Sequence, residues 1–279
     1  MWTTENRVRY NRDKLRYPSD VTEEEWAAIA PLIPPARRGG RKRTVNIREV
    51  FNGLMYVLST GCQWRALPKD LPPRSTIFHY FRVWEAEGTL RRIQATLYGR
   101  CREHAGRSAS PTAGIIDSQS VKSAEKGGAG VDPAGFDAGK QVKGKKRHLL
   151  VDTLGLVIHA IVHPANRQDR DGGILLFTAL ADRFPLLATL FADGAYQGPV
   201  FRHALATVRP QLTTAIVTRS AQRKGFVVLP KRWLVERSIA WLNRCRRLAK
   251  DFENRTRSAL AFVHLASIRL MVRKLCNPS

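Results

Sequence analysis

Cysteine is scarce in this 279-residue chain, and its four cysteines, Cys62, Cys101, Cys245 and Cys276, stand far apart. No Cys-x-x-Cys pair and no histidine at zinc-ligand spacing accompanies them, so neither a disulfide scaffold nor a zinc finger is expected. Long apolar runs are also missing. The best stretches, 149–162 and 174–181, are too short or carry charge, which argues against a membrane span. The first seventeen residues are polar and of mixed charge, unlike a secretory leader, so cytoplasm is the expected compartment. The largest deficit is in negative charge: 23 Asp and Glu face 47 Lys and Arg, a formal net charge of +24. Such an excess repels itself in the free protein, and a polyanion relieves it. DNA or RNA is the expected partner, with a basic ribosomal or membrane-surface role as the alternative.

Hydrophobic residues make up 43% of the chain, enough for a core in one large domain or two smaller ones. The first hundred residues read as helical. Thr22 and Glu25 form a capping-box signature ahead of Trp26, Ile29, Ala30 and Ile33, and Pro34-Pro35 ends that helix. A basic run over 37–43 follows and includes Arg41, Lys42 and Arg43. Asn46 and Glu49 open a second helix with Ile47, Val50, Phe51, Leu54, Val57 and Leu58 at helical spacing, and Gly61 is placed to cap it. Ser75 can cap a third, whose inner face is Ile77, Tyr80, Phe81 and Trp84 and which Gly88 ends. Arg74, His79 and Arg82 fall on or beside its exposed side. The pattern is helix-turn-helix-like, and those three are candidate DNA contacts. Gln63 and Arg65, in the connecting turn, read equally well as solvated loop polars.

From residue 113 the periodicity changes. Short apolar strands are expected at 113–116, 148–153, 156–162, 189–192 and 214–217, with helices at 171–183, 200–208, 233–252 and 256–275. That order predicts an α/β (α+β) fold with a mixed sheet and helices on its faces. The stretch 122–146 interrupts it with six glycines and a basic end. It reads either as a solvated loop or as one that orders on phosphate, with Lys145, Lys146 and Arg147 as backbone contacts.

Three acids stand out. Asp117 and Asp193 each follow an apolar run, where a carboxylate is costly unless hydrogen-bonded, paired or bound to metal. Strand-end aspartates commonly cap turns, so either alone says little. Glu236 lies on the expected 233–252 helix. At about 100° per residue, Leu234, Trp241, Cys245, Leu248 and Phe252 share one stripe, and Glu236, Asn243 and Arg247 lie opposite. That open face suits a metal ligand beside phosphate contacts, or an ordinary solvated face. Asp152, Asp169 and Asp171 read as turn and helix-start acids. His159 and His163, in a strand, lack a metalloprotease pattern.

The local sequences add a resemblance. Asp-Ser-Gln-Ser-Val-Lys at 117–122, the run 144–155, Asp-Gly-Ala-Tyr at 193–196 and Glu-Arg-Ser-Ile-Ala-Trp-Leu-Asn-Arg-Cys-Arg-Arg-Leu at 236–248 resemble the bacterial insertion-sequence transposases of the Asp-Asp-Glu superfamily. The nearest group is the one typified by insertion sequence five. The stretches 32–43 and 61–68 are similar to that group's N-terminal domain. The resemblance implies a helical DNA-binding domain at 17–105 and a ribonuclease-H-like catalytic domain at 110–279. It also implies Asp117, Asp193 and Glu236 as ligands of two Mg²⁺ or Mn²⁺ ions, with no nucleotide cofactor. The implied partner is double-stranded DNA, both element ends and target, bound by a homodimer. Where the superfamily often has Lys or Arg seven residues after the Glu, this chain has Asn243, so Arg244 or Arg247 is expected to take that phosphate role. A metal-dependent nuclease of the same fold, or a non-catalytic DNA-binding regulator, remains the alternative.

Overall fold

The structure, a computed structural model, describes residues 3–36, 39, 43–125, 128–180, 183–217 and 231–277. A short helix α1 (Thr4–Arg9) precedes α2 (Glu23–Ile29), whose capping box is formed as expected. The Thr22 hydroxyl accepts from the Glu25 N–H at 3.2 Å, and the Glu25 carboxylate accepts from the Thr22 N–H at 3.0 Å. Helix α3 (Ile47–Thr60) is capped by Asn46, which accepts from the Arg48 N–H, and ends at Gly61 with φ +69°. A side chain at Gly61 would be strained in the left-handed region and would press on the Arg246 backbone. Helix α4 (Arg74–Ala86) starts from Pro73 with no side-chain cap, so Ser75 does not play the expected part.

Gly88, read as a stop, is also a start: α5 (Thr89–His104) follows it directly. Its Leu90, Ile93, Leu97, Tyr98 and Cys101 repeat at helical spacing and are buried. The pattern was present in the sequence, diluted by Arg91, Arg92 and Arg100.

The sheet is built on β1 (Ala113–Lys122). β1 pairs antiparallel with β3 (Val142–Val151), and β3 pairs antiparallel with β4 (Val157–Pro164). After helix α6 (Asp169–Leu180), β5 (Thr189–Ala192) joins the other side of β1 in parallel. After helix α7 (Pro199–Val208), β6 (Thr213–Ile216) joins β5 in parallel. A short β2 (Gly135–Asp137) adds to β3. The core order β4-β3-β1-β5-β6, an antiparallel meander extended by two parallel strands, is the mixed ribonuclease-H-like sheet that was expected.

Two boundaries differ. β1 does not stop at Ile116 but runs on to Lys122, because β3 backs it over its whole length, with Asp117 opposite Leu149 and Lys122 opposite Gly144. The glycine-rich stretch is therefore not all loop. It holds β2 and the first turns of β3, and a side chain at Gly144 would run into the Val121 carbonyl. Lys126 and Gly127 lie outside the described residues.

The second difference is at the C-terminal end. Helix α8 (Arg232–Asn243) is much shorter than 233–252 and is followed by a 3₁₀ turn, Arg246–Leu248. Helix α9 (Thr256–Cys276) is buried on nearly all sides, packing on α2, α3, α4 and α5 and on β4. One hydrophobic core therefore runs from the N-terminal helices into the sheet. Arg102 and Tyr98 of α5 reach Asp152, just beyond β3, at 2.5 and 3.2 Å. Among the described residues no helix is long and apolar enough to cross a membrane.

Candidate active site and nucleic-acid surface

Asp117 and Asp193 come together because their strands are parallel neighbours. Ile115 of β1 pairs with Phe191 of β5, and each aspartate lies two residues further on. Asp117 is thus inside its strand, not at the end of it; Asp193 directly follows β5, as expected. Asp193 caps the short turn Gly194–Tyr196, accepting from the Ala195 N–H at 2.9 Å. Asp117 accepts from the Ser118 N–H at 2.7 Å. Glu236 is exposed on α8, which packs against β1 and β3.

What joins Asp193 and Glu236 is a residue the sequence reading passed over. Arg232, one turn before Glu236, places Nη2 at 3.6 Å from Asp193 Oδ2 and 3.3 Å from Glu236 Oε1. Its charge also acts on Asp117. The available signal was the i−4 spacing from Glu236. Burial, with repulsion from Asp193 added, pushes the Asp117 carboxyl up to about 6, against the opposing Ser118 hydrogen bond and the Arg232 and Lys140 charges.

Among the described residues no group of three or more His, Cys, Asp and Glu side chains is drawn together closely enough to hold an ion as it stands. Asp193 and Glu236 are organised around a guanidinium instead. The donor set still fits a hard divalent cation. It consists of carboxylate oxygens from three elements, with Asp193 and Glu236 sharing the Arg232 guanidinium and Asp117 repelled by Asp193, a repulsion that such a cation relieves.

Beside Asp117 lies a polar network that is open to solvent at Lys140 and buried at Lys146, His148 and Tyr196. Lys140 Nζ is 3.2 Å from both Ser118 oxygens, and Lys146 Nζ is 2.7 Å from Asp169 Oδ1 and 3.2 Å from Asp137 Oδ2. The Tyr196 hydroxyl is 3.1 Å from His148 Nδ1, and His148 stacks on His163 with centroids 5.0 Å apart. Burial, together with His163, pushes His148 well down, so this network keeps a neutral imidazole. Asp169 does sit in the first turn of α6, but it also anchors this network.

The basic residues divide sharply. Lys145, Lys146 and Arg147, expected on DNA, are all buried, because β3 is covered on both faces over 144–151. Lys145 donates to the Asp132 and Pro133 carbonyls and to Thr256, and Arg147 donates to the Leu248 carbonyl at 2.6 Å. Arg247 is buried too. It pairs with Glu253 at 2.6 Å, donates to the Cys62 carbonyl and lies against the Trp64, Phe252 and Phe262 rings. Since α8 ends at Asn243, Arg247 shares no face with Glu236. None of these four presents its charge to a ligand, so their reading as phosphate contacts is corrected.

Others do face outward. Arg74 and His79 are exposed, and with Gln63, Trp64, Arg65, Ser75, Phe78 and Arg82 they line a cleft of 650 Å³. Arg82 is half-held there, 3.2 Å from both Glu85 and Ser258. Arg43 donates to the Pro34 and Pro35 carbonyls and lies over the Tyr80 ring. Arg41 and Lys42 fall outside the described residues. Trp241, expected in the core, is 39% exposed, as is Trp233, and Arg237 is stacked between them at 4.5 and 4.4 Å.

Residues 108–271, more than half of the chain, match the family model described as "Transposase DDE domain". The chain belongs to the DDE transposase family. Residues 21–94 separately match the model described as "Putative transposase of IS4/5 family". Two relatives come from Burkholderia cepacia. The "Insertion element IS402 uncharacterized 16.2 kDa protein" is 29% identical over 38% of this chain and 76% of its own length. The "Putative transposase for insertion sequence element IS402" is 29% identical over 48% of this chain and 63% of its own. Among solved structures, "Crystal structure of a pre-cleavage Mos1 transpososome" aligns over 86% of this chain and 80% of that one, at 12% identity and a TM-score of 0.26. So loose a likeness adds nothing to the sheet order itself.

Family membership gives weight to one departure. Asn243, seven residues after Glu236, is half-buried, and its Oδ1 has no hydrogen-bond partner. Arg244 beside it is exposed at the end of α8. Of the two arginines expected to stand in for it, Arg247 is buried and Arg244 is exposed.

Proposed function

We propose that this chain is a DNA transposase that cleaves the ends of its insertion sequence and joins the freed 3′-hydroxyl to target DNA. The observation that carries this reading is the pairing of Asp193 and Glu236 through one arginine, with Asp117 on the neighbouring parallel strand, within residues matched to a DDE domain. Asp117, Asp193 and Glu236 would together hold two Mg²⁺ or Mn²⁺ ions through their carboxylate oxygens. When bound, the ions would acidify a water and offset negative charge on the phosphoryl oxygens and on the leaving oxygen.

The task of the chain itself is to hold these carboxylates in place, and the cations would favour the ionised form of Asp117 that burial alone disfavours. Adjacent parallel strands fix Asp117 and Asp193, the Ala195 N–H orients Asp193, and α8 brings Glu236 over them. In the first displacement a water oxygen bonds to phosphorus and the P–O3′ bond breaks. In the second the freed 3′-hydroxyl attacks a target phosphodiester, and another 3′-oxygen leaves. Both are in-line displacements at one site, and neither needs a nucleotide cofactor.

Residues 17–105 would read the element ends through the cleft lined by Arg74, His79 and Arg82, and residues 110–279 would carry the chemistry. Arg41, Lys42, Arg43 and Arg244 would add backbone contacts. Two copies would act together, one on each end, in the bacterial cytoplasm at the nucleoid. The test is an end-labelled duplex carrying one element end, incubated with a supercoiled target plasmid in Mg²⁺ or Mn²⁺. Transfer of label into the plasmid is expected. Cleavage without joining would make the protein a nuclease, and binding alone would make it a regulator.

A further inference from the structure

We propose that Arg232 is a resident counter-cation. In the metal-free protein its guanidinium holds Asp193 and Glu236 together where a divalent ion binds, and metal binding releases it toward the DNA backbone. The inference rests on the triad reading above. Among the described residues, both ion pairs of Arg232 are to triad acids, at 3.6 and 3.3 Å. A guanidinium at those distances and a divalent ion on the same oxygens repel each other, so each weakens the other's hold on the place.

The position of Arg232 on α8 points the same way. It is the first residue of a twelve-residue helix, next to Lys231. The N-terminal end of a helix carries partial positive charge, so two cations there are unfavourable without nearby anions. Lys231 adopts φ +67°, a left-handed conformation rare for a residue with a side chain, and its Nζ sits 4.0 Å from the centre of the Phe191 ring on β5. The helix start is thereby pinned against the strand that delivers Asp193. Once the acids are neutralised by metal, the unpaired Arg232 and the Lys231 ammonium, at the N-terminal end of α8, together form a cationic end suited to a phosphate. Arg232 remains 23% exposed, so its side chain has an outlet to solvent.

The test is calorimetric titration of Mn²⁺ into the full-length protein without DNA, comparing wild type with Arg232→Gln and Arg232→Lys, each checked for folding by circular dichroism. Removing the competing charge should tighten Mn²⁺ binding by about fivefold in Arg232→Gln, the scale of an exposed ion pair. Arg232→Gln should also melt lower than wild type in EDTA and gain more from added Mn²⁺. Arg232→Lys, which keeps the charge, should bind Mn²⁺ like wild type and shows whether a changed side chain alone alters the site. With Ca²⁺ in place of a reactive metal, Arg232→Gln should bind an element-end duplex more weakly than wild type. Equal or weaker Mn²⁺ binding by Arg232→Gln, with wild type binding normally, overturns the proposal and leaves the triad reading standing. No Mn²⁺ binding by the wild type overturns both.

Discussion

Asp152 and Asp193 look alike in sequence: each follows an apolar strand and opens a turn. Their surroundings differ completely. Asp152 is fully buried, and its carboxylate takes the Leu154 and Leu156 N–H groups, the Tyr98 hydroxyl and the Arg102 guanidinium. Asp193 is partly open to solvent, accepts the Ala195 N–H, and shares one arginine with Glu236. A saturated carboxylate locks α5 to the sheet, whereas an under-satisfied one, set beside other acids, is free to take a ligand. Donor count, more than burial or motif, separates structure from function here.

The comparison can be broken at its structural end first. Asp152→Ala leaves Arg102 buried without its partner and should cost about 3–5 kcal/mol in urea denaturation, since a broken buried pair costs on that order. A loss under 1 kcal/mol would mean that the Asp152 cluster is not the clamp it resembles.

At the other end the sign reverses. The folded metal-free protein raises Asp117 to about 6, above an ordinary carboxyl, so it holds a proton that the unfolded chain releases earlier. Stability therefore falls as pH rises from roughly 4 to 6 and stays reduced above, because the charged form is the disfavoured one. Asp117→Asn, measured in EDTA at pH 8, should be more stable than wild type by on the order of 2 kcal/mol, with the gain fading toward pH 4. A destabilised variant would show that Asp117 is paired like Asp152.

The basic residues give the same contrast on a smaller scale. Arg74→Ala should flatten the salt dependence of DNA binding by about one unit per lost phosphate contact. Lys145→Met should leave that slope unchanged and lower stability, because its ammonium serves the Asp132 and Pro133 carbonyls. The smallest effect is expected from Arg82→Ala, already engaged by Glu85 and Ser258, in competition binding of element-end against random DNA.

How far the chain could be read follows from the same physics. The capping box at Thr22, the Gly61 cap, β5 and the start of α9 were legible because local chemistry fixes them. The three acids were singled out through their motifs, and strand pairing brings two of them side by side. The fate of Lys145, Lys146 and Arg147 was not. A basic run looks solvated, and only the pairing of β3 with β1, β2 and β4, under helices on both faces, shows it to be interior. Arg247 was misplaced because its supposed helix ends at Asn243, and Trp241 was misplaced with it. Arg232 was overlooked for a related reason: its partners Asp193 and Glu236 lie on different elements, and one of them is 39 residues away in sequence. Helix α5 was missed although its apolar spacing was visible, since arginines lowered its apparent amphipathicity.

The central claim is that Asp117, Asp193 and Glu236 form one metal-dependent centre. Cleavage of an element-end duplex in Mn²⁺ by wild type and by Asp117→Ala, Asp193→Ala and Glu236→Ala, each first shown to bind the duplex with near-wild-type affinity, tests it most directly. Complete loss of cleavage in all three is the result this structure predicts. Wild-type cleavage by any one of them would remove that residue from the centre and contradict the account.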